Sequence, residues 1–126
     1  MTSDLYREHI LDHYGNPRNQ GTLKDADISH ERDNPVCGDR VRLDIQLEDG
    51  KVKDVKFNGE GCVISMASAS MFTEAIQGKT VAELKAIDDE DIFDLLGVDL
   101  GSSRANCAVL PLRVLQQALA QWEEGA

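Results

Sequence analysis

Three cysteines and one aspartate are the residues of this sequence whose chemistry suits metal binding or sulfur transfer. Cys37 and Asp39 lie two positions apart in the turn-forming run Asn34–Asp39, Cys62 follows Gly-Glu-Gly, and Cys107 follows Arg-Ala-Asn. Thiolates bind zinc and iron, and they are also the nucleophiles of sulfur chemistry. The sequence has no C-x-x-C pair. Spacing alone therefore leaves two hypotheses open: one shared site, or separate cysteines that fill the core as small apolar residues.

Two strands joined by a hairpin are predicted in the middle of the chain. Residues 40–47 alternate apolar and polar side chains with the period of a half-buried strand. The pair Asp49-Gly50 favours a tight turn, and residues 51–57 return as the second strand. Val52 is out of phase with the apolar positions that follow it, which indicates either a bulge or a strand that starts late.

The hairpin predicts that Cys37 and Cys62 are neighbours, because it brings the entrance of its first strand beside the exit of its second. Asp39 comes two residues after Cys37 and should point to the same side, although a solvated turn acid is the alternative for it. Three thiolates and one carboxylate in one place would suit tetrahedral zinc, or an iron–sulfur cluster with one non-thiolate ligand.

Cys107 is predicted to lie at the start of the last helix. That helix is expected over about 106–122, since Pro111 is compatible with a helix only near its first turn. A helix N-terminus stabilises a thiolate. Cys62 precedes a helix predicted over 65–77 and should gain the same help.

The remaining pattern predicts an α+β fold, in which a small antiparallel sheet of two to three strands has helices packed on one face. Further helices are expected over 3–14 and 80–86 and from Asp88 onward, and a short edge strand is expected over 26–33. At this length we expect a single domain covering residues 1–126.

The histidines and the acidic run are interpreted as structural. His9 and His13 recur at core-like spacing on the first predicted helix, and His30 is expected at the surface. The acidic run at 88–94 is expected to be a solvated face with a capping role.

Charge and composition exclude several classes of partner. A net charge of −10 disfavours nucleic acid and anionic membrane surfaces, which both require a basic face, and it fits protein partners. No apolar run is long enough to cross a bilayer, and the first residues do not resemble a signal peptide. Three cysteines are too few for a disulfide framework, so we expect a reducing, cytoplasmic environment.

Several blocks of the sequence resemble the U-type iron–sulfur cluster scaffold family, which includes IscU, SufU and the N-terminal part of NifU. In family order, the blocks are His13–Asn19, Asn34–Asp39, Gly59–Ser70 and Cys107 with the helix after it. The resemblance implies an α+β fold, zinc or a [2Fe–2S] cluster at the three cysteines, and a cysteine desulfurase as sulfur donor. Cys37, Asp39, Cys62 and Cys107 match the functional positions of the family.

Different parts of the chain resemble two different branches of this family. The block Glu60–Ser70 is similar to the SufU branch, but the insertion usual there between the second and third cysteines is missing. The IscU branch carries a histidine before the third cysteine, where this chain has Asn106. That branch also carries a Leu-Pro-Pro-Val-Lys chaperone-docking motif, to which residues 101–104 have no similarity. A site of three cysteines and Asp39 is therefore expected, and an Hsp70-type chaperone is not expected as a partner.

The resemblance leads to three functional hypotheses. The first is a non-enzymatic scaffold that accepts persulfide sulfur and iron, builds a [2Fe–2S] cluster and passes it to apo iron–sulfur acceptor proteins, with Asp39 as the labile ligand. The second is a zinc-dependent sulfurtransferase that relays sulfur without holding a cluster. The third is an interaction module stabilised by structural zinc. Cys37 and Cys107 are the candidate sulfur acceptors.

Overall fold

A computed structural model shows a three-stranded antiparallel sheet with helices against it, which confirms the predicted α+β class. The structure describes residues 2–34, 38–97 and 102–124. Its elements in chain order are α1 (Thr2–Gly15), β1 (Ile28–Asn34), β2 (Asp39–Glu48), β3 (Lys51–Glu60), α2 (Val63–Ile76), α3 (Val81–Lys85), α4 (Asp89–Leu96) and α5 (Ser102–Glu124). Within these residues, no helix combines the length and apolar character needed to cross a membrane.

The strands lie in the order β1-β2-β3, and both pairs are antiparallel. The expected edge strand at 26–33 is confirmed as β1. Both residues of the β2–β3 turn have positive φ, 55° at Asp49 and 76° at Gly50, as a tight two-residue hairpin turn requires. The pairing register shifts between Gln46 and Leu47, so the bulge alternative is confirmed and Val52 faces the core.

The core lies between one face of the sheet and the helices. The inward side chains of β2 and β3, among them Leu43, Ile45 and Phe57, are buried. Helix α5 packs on β1 and β2, α2 packs on β3, and α1 packs on α2. Small side chains such as Ala67 and Ala69 are fully buried, so α2 can lie close to its neighbours.

The last helix begins earlier than the sequence predicts. Helix α5 starts at Ser102 rather than near residue 106, so Pro111 lies inside it. An internal proline leaves a backbone carbonyl of the preceding turn without its usual donor and distorts that turn. In this turn the hydroxyl of Ser68 on α2 donates to the carbonyl of Ala108 at 2.6 Å. This bond does not replace the one that Pro111 removes, whose acceptor is the carbonyl four residues before the proline; it anchors α5 to α2 in the same turn.

His13 fixes α1 and the loop after it to α2, as its structural interpretation predicts. Its ring is 2% exposed, and its Nδ1 lies 2.7 Å from the hydroxyl of Ser70. The backbone N–H of Arg18 donates to the same hydroxyl at 2.9 Å. Burial, followed by the nearby charge of Arg18, holds the pKa of His13 below its ordinary value. His9 is exposed, although its ring packs edge-on against that of His13.

This burial of His13 predicts a loss of stability in mild acid. When the pH falls below the ordinary value of 6.5, the unfolded chain gains a proton on His13 before the folded chain does. The free energy of unfolding therefore falls as the pH drops from 6.5 through the folded pKa. Urea unfolding of the metal-free protein at several pH values between 7.5 and 5.5 should show this slope. His13→Gln should flatten the slope and His9→Gln should keep it, so equal slopes in all three proteins would contradict the assignment to His13.

Candidate metal centre

Three elements bring potential metal ligands to one end of the sheet. Asp39 is the first residue of β2, Cys62 is the N-cap of α2, and Cys107 lies in the second turn of α5. One ligand atom from each residue lies within 4.8 Å of the other two. Cys37, the fourth residue singled out in the sequence, lies outside the described residues.

Asp39 is a buried carboxylate rather than a solvated turn acid, with 1% of its surface exposed. Its Oδ1 accepts the backbone N–H of Cys62 at 2.9 Å. Its Oδ2 lies 3.9 Å from the Sγ of Cys62. One carboxylate oxygen is thus held by the backbone at the start of α2, while the other faces the sulfur.

Gly61 and Ser65 lie beside Asp39 and Cys62, and neither was expected as a site residue. A Cβ at position 61 would lie 2.3 Å from the Oδ1 of Asp39 and 2.6 Å from the Oγ of Ser65, so only glycine fits without displacing them. The Ser65 hydroxyl donates to the carbonyl of Cys62 at 3.1 Å and lies 3.7 Å from its sulfur. The position of Ser65, three residues after the helix N-cap, was the signal in the sequence for such a hydrogen bond to the backbone.

The two described cysteines differ in access. Cys62 is exposed, and as the N-cap of α2 its side chain makes no capping hydrogen bond. Cys107 is 2% exposed. The prediction that Cys107 occupies a helix N-terminus is wrong, because α5 begins five residues earlier, at Ser102. Cys62 does lie at a helix N-terminus, as expected. It is closer to the first helical residue than predicted, because α2 begins at Val63, directly after it.

Arg40, next to Asp39 in the chain, does not neutralise this carboxylate. Its guanidinium pairs with Glu31 at 2.7 Å and with Glu60 at 3.4 Å. These two hydrogen-bonded carboxylates raise the pKa of Arg40. The charge of Arg40 is thus engaged by its own partners, and Asp39 remains available to a bound cation.

The donor set fits a single zinc ion. With zinc–sulfur bonds of about 2.3 Å, two sulfurs on one tetrahedral ion are about 3.8 Å apart. This separation is compatible with ligand atoms that lie within 4.8 Å of one another. Two thiols and one carboxylate oxygen are also ligands that zinc accepts.

Comparison with known proteins gives consistent matches along the chain. The family model for the NifU-like N-terminal domain matches residues 5–126. The zinc-dependent sulfurtransferase SufU of Bacillus subtilis is 44% identical, with 96% of this chain and 93% of that protein covered. The iron–sulfur cluster assembly scaffold protein IscU of Thermotoga maritima is 39% identical, with 91% and 92% covered.

Solved structures match in fold as well. A candidate iron–sulfur cluster assembly scaffold of the SUF system from Fervidobacterium islandicum AW-1 superposes with a TM-score of 0.78 at 30% identity, covering 94% of this chain and 99% of that chain. The N-terminal part of a NifU-like protein from Brucella abortus gives a TM-score of 0.79 at 23% identity, with 98% of each chain covered. The second likeness concerns the fold alone.

Replacing Gly61 by alanine should disturb the centre. The new Cβ would collide with the Asp39 carboxylate, whose displacement also frees the N–H of Cys62. We expect zinc affinity to fall about tenfold or more and the free energy of unfolding to fall by about 1–3 kcal/mol. Chelator competition and urea unfolding measure the two effects.

Gly15→Ala is the matched control, because a Cβ there meets no atom within 4 Å. It should leave zinc affinity unchanged and alter stability by less than about 1 kcal/mol. Equal zinc affinity in Gly61→Ala and the unaltered chain would show that the contact between Gly61 and Asp39 does not shape the centre.

Proposed function

Because the chain belongs to the NifU-like N-terminal domain family, we propose that it serves iron–sulfur cluster assembly by accepting sulfur from a cysteine desulfurase. The convergence of Asp39, Cys62 and Cys107 within 4.8 Å is the observation that carries this proposal. The described centre combines an exposed thiol, a buried thiol and a buried carboxylate, which suits a site that holds a metal and still meets a protein partner.

The proposed ligand set is Cys37, Asp39, Cys62 and Cys107. Cys37 is included because it lies two residues before Asp39, which brings the backbone of the chain to the centre. Bound zinc would supply a Lewis acid that keeps the thiols as thiolates without redox chemistry of its own. Asp39 would offer Oδ2 to the ion, because Oδ1 already accepts the backbone N–H of Cys62.

We assign sulfur acceptance to Cys37 rather than to Cys107. Cys107 is 2% exposed, so a persulfide carried by a partner could not reach its sulfur without local opening of α5. In the proposed step the acceptor thiolate attacks the outer sulfur of the desulfurase persulfide. A new S–S bond forms, the S–S bond of the donor breaks, and the cysteine of the desulfurase leaves as a thiolate.

Zinc-dependent sulfur transfer is the form of this function that we propose first. The ligand atoms are spaced for one ion, and SufU of Bacillus subtilis, named as a zinc-dependent sulfurtransferase, shares 44% of aligned residues. That alignment covers 138 positions against a chain of 126 residues, so the relative contains residues that this chain lacks.

A scaffold that builds a [2Fe–2S] cluster is the second candidate, although it was placed first on the sequence alone. Relatives named as cluster assembly scaffolds support it, among them IscU of Thermotoga maritima at 39% identity. In this role the cluster is cargo, and apo iron–sulfur proteins receive it. We propose a reducing cytoplasm as the compartment for either role, since such a compartment keeps cysteines available as metal ligands and sulfur acceptors.

Anaerobic incubation with a cysteine desulfurase, cysteine and ferrous iron tests the proposal and separates its two forms. Sulfur transfer predicts bound zinc, strong activation of the desulfurase and no stable visible chromophore. Cluster assembly predicts an iron–sulfur absorption spectrum with iron and sulfide bound. Peptide mapping of the stopped reaction should find the persulfide on Cys37. Neither activation nor a chromophore would refute the proposed function.

Two substitutions of Asp39 should separate its charge from its hydrogen bond. Asp39→Asn keeps an oxygen that can accept the N–H of Cys62 but removes the negative charge, so zinc affinity should fall about tenfold or more with little loss of stability. Asp39→Ala removes both, so the metal-free protein should also lose about 1–3 kcal/mol of unfolding free energy. Chelator competition and urea unfolding distinguish these outcomes, and equal stability of the two variants would contradict the structural role of Oδ1.

A further inference from the structure

A second group of potential metal ligands lines a cavity that shares no residue with the thiolate centre. The cavity has a volume of about 300 Å³ and is lined by His9, His13, Met71, Glu74, Ala75 and Leu95. Two of these side chains are imidazoles one helical turn apart on α1, and the third polar one is a carboxylate on α2. Imidazole together with carboxylate is a ligand combination that zinc and related divalent metals accept.

The separation of two of these ligands suits one metal ion better than a hydrogen bond. The Nε2 of His13 and the Oε1 of Glu74 are 3.5 Å apart, which is long for an N–H···O hydrogen bond. Two ligands on one tetrahedral zinc, each with a bond of about 2.1 Å, are about 3.4 Å apart. The side chain of Glu74 is 51% exposed, so it can adjust to a bound ion.

The other nitrogen of the His13 ring is already fixed. Nδ1 lies 2.7 Å from the Ser70 hydroxyl, which can accept a hydrogen bond from it. Metal-binding histidines commonly make such a bond through the ring nitrogen that does not bind the metal. Burial also keeps the pKa of His13 below its ordinary value, and the neutral ring is the form that binds metals.

His9 lies close enough to reach the same ion after a side-chain rotation. The centroids of the His9 and His13 rings are 4.6 Å apart in an edge-on arrangement. Among the residues with described side chains, these three do not form a group with all ligand atoms within 4.8 Å of one another, so His9 must turn toward Glu74. His9 is exposed, and exposed side chains change rotamer readily.

We propose that His9, His13 and Glu74 form a second site for a divalent metal of the zinc type, with the remaining coordination position open to water. The site would join α1 to α2 and would bind its ion independently of the thiolate centre.

Zinc titration of the full chain, followed through the imidazole nitrogens by NMR, tests this site. One equivalent of zinc is added first to fill the thiolate centre, and a second is then titrated. The ring signals of His9 and His13 should shift together at a stoichiometry of one. Those of His30, whose Nε2 is engaged with Gln117 at 2.9 Å, should stay in place. If the thiolate centre took no zinc, the same ring shifts would appear with the first equivalent, so failure of that centre and failure of this site give different results.

Matched variants identify the ligands. His9→Gln and Glu74→Gln change exposed side chains. Each should raise the zinc dissociation constant measured from the histidine ring signals at least tenfold. His30→Gln, the same substitution elsewhere, should leave that constant unchanged. Histidine signals that do not move at millimolar zinc would overturn the proposal, and so would equal affinity in His9→Gln and the unaltered chain.

Discussion

The hydrogen bond from the Cys62 backbone to Asp39 is the contact on which the geometry of the centre depends. It joins the first residue of β2 to the N-cap of α2 at 2.9 Å. A hydrogen bond to a charged acceptor contributes about 1.5–3 kcal/mol, and more is lost when a buried partner remains unsatisfied. The carboxylate thereby orders the chain segment that presents the exposed thiol, and its second oxygen is aimed at that thiol.

This contact explains why a glycine precedes Cys62. Any larger residue at position 61 would place its Cβ against Asp39 and Ser65. Gly59 is restricted in another way, because a Cβ there would lie 2.0 Å from the carbonyl oxygen of Arg40 on the paired strand. The two glycines around Glu60 are thus required by close approach of neighbouring atoms, rather than by flexibility of a loop.

Local patterns in the sequence predicted the elements well, whereas contacts between distant residues escaped them. The hairpin, its bulge and the short helix over 80–86 follow from neighbouring residues, and the structure confirms all three. The start of α5 was missed because its packing on α2, which includes the bond from Ser68 to the Ala108 carbonyl, joins residues about 40 positions apart. The burial of Asp39 was missed for the same reason, since Cys62 lies 23 positions away from it.

The Ser68 bond has a consequence for how the centre can vary. Ser68 lies on the helix that begins after Cys62, and Ala108 is the residue after Cys107. The distance between the two sulfurs therefore depends on how closely α2 and α5 pack. Substitutions in the interface between α2 and α5 would therefore shift the proposed ligands Cys62 and Cys107 relative to each other. The packing of the core and the geometry of the proposed metal site would thus change together.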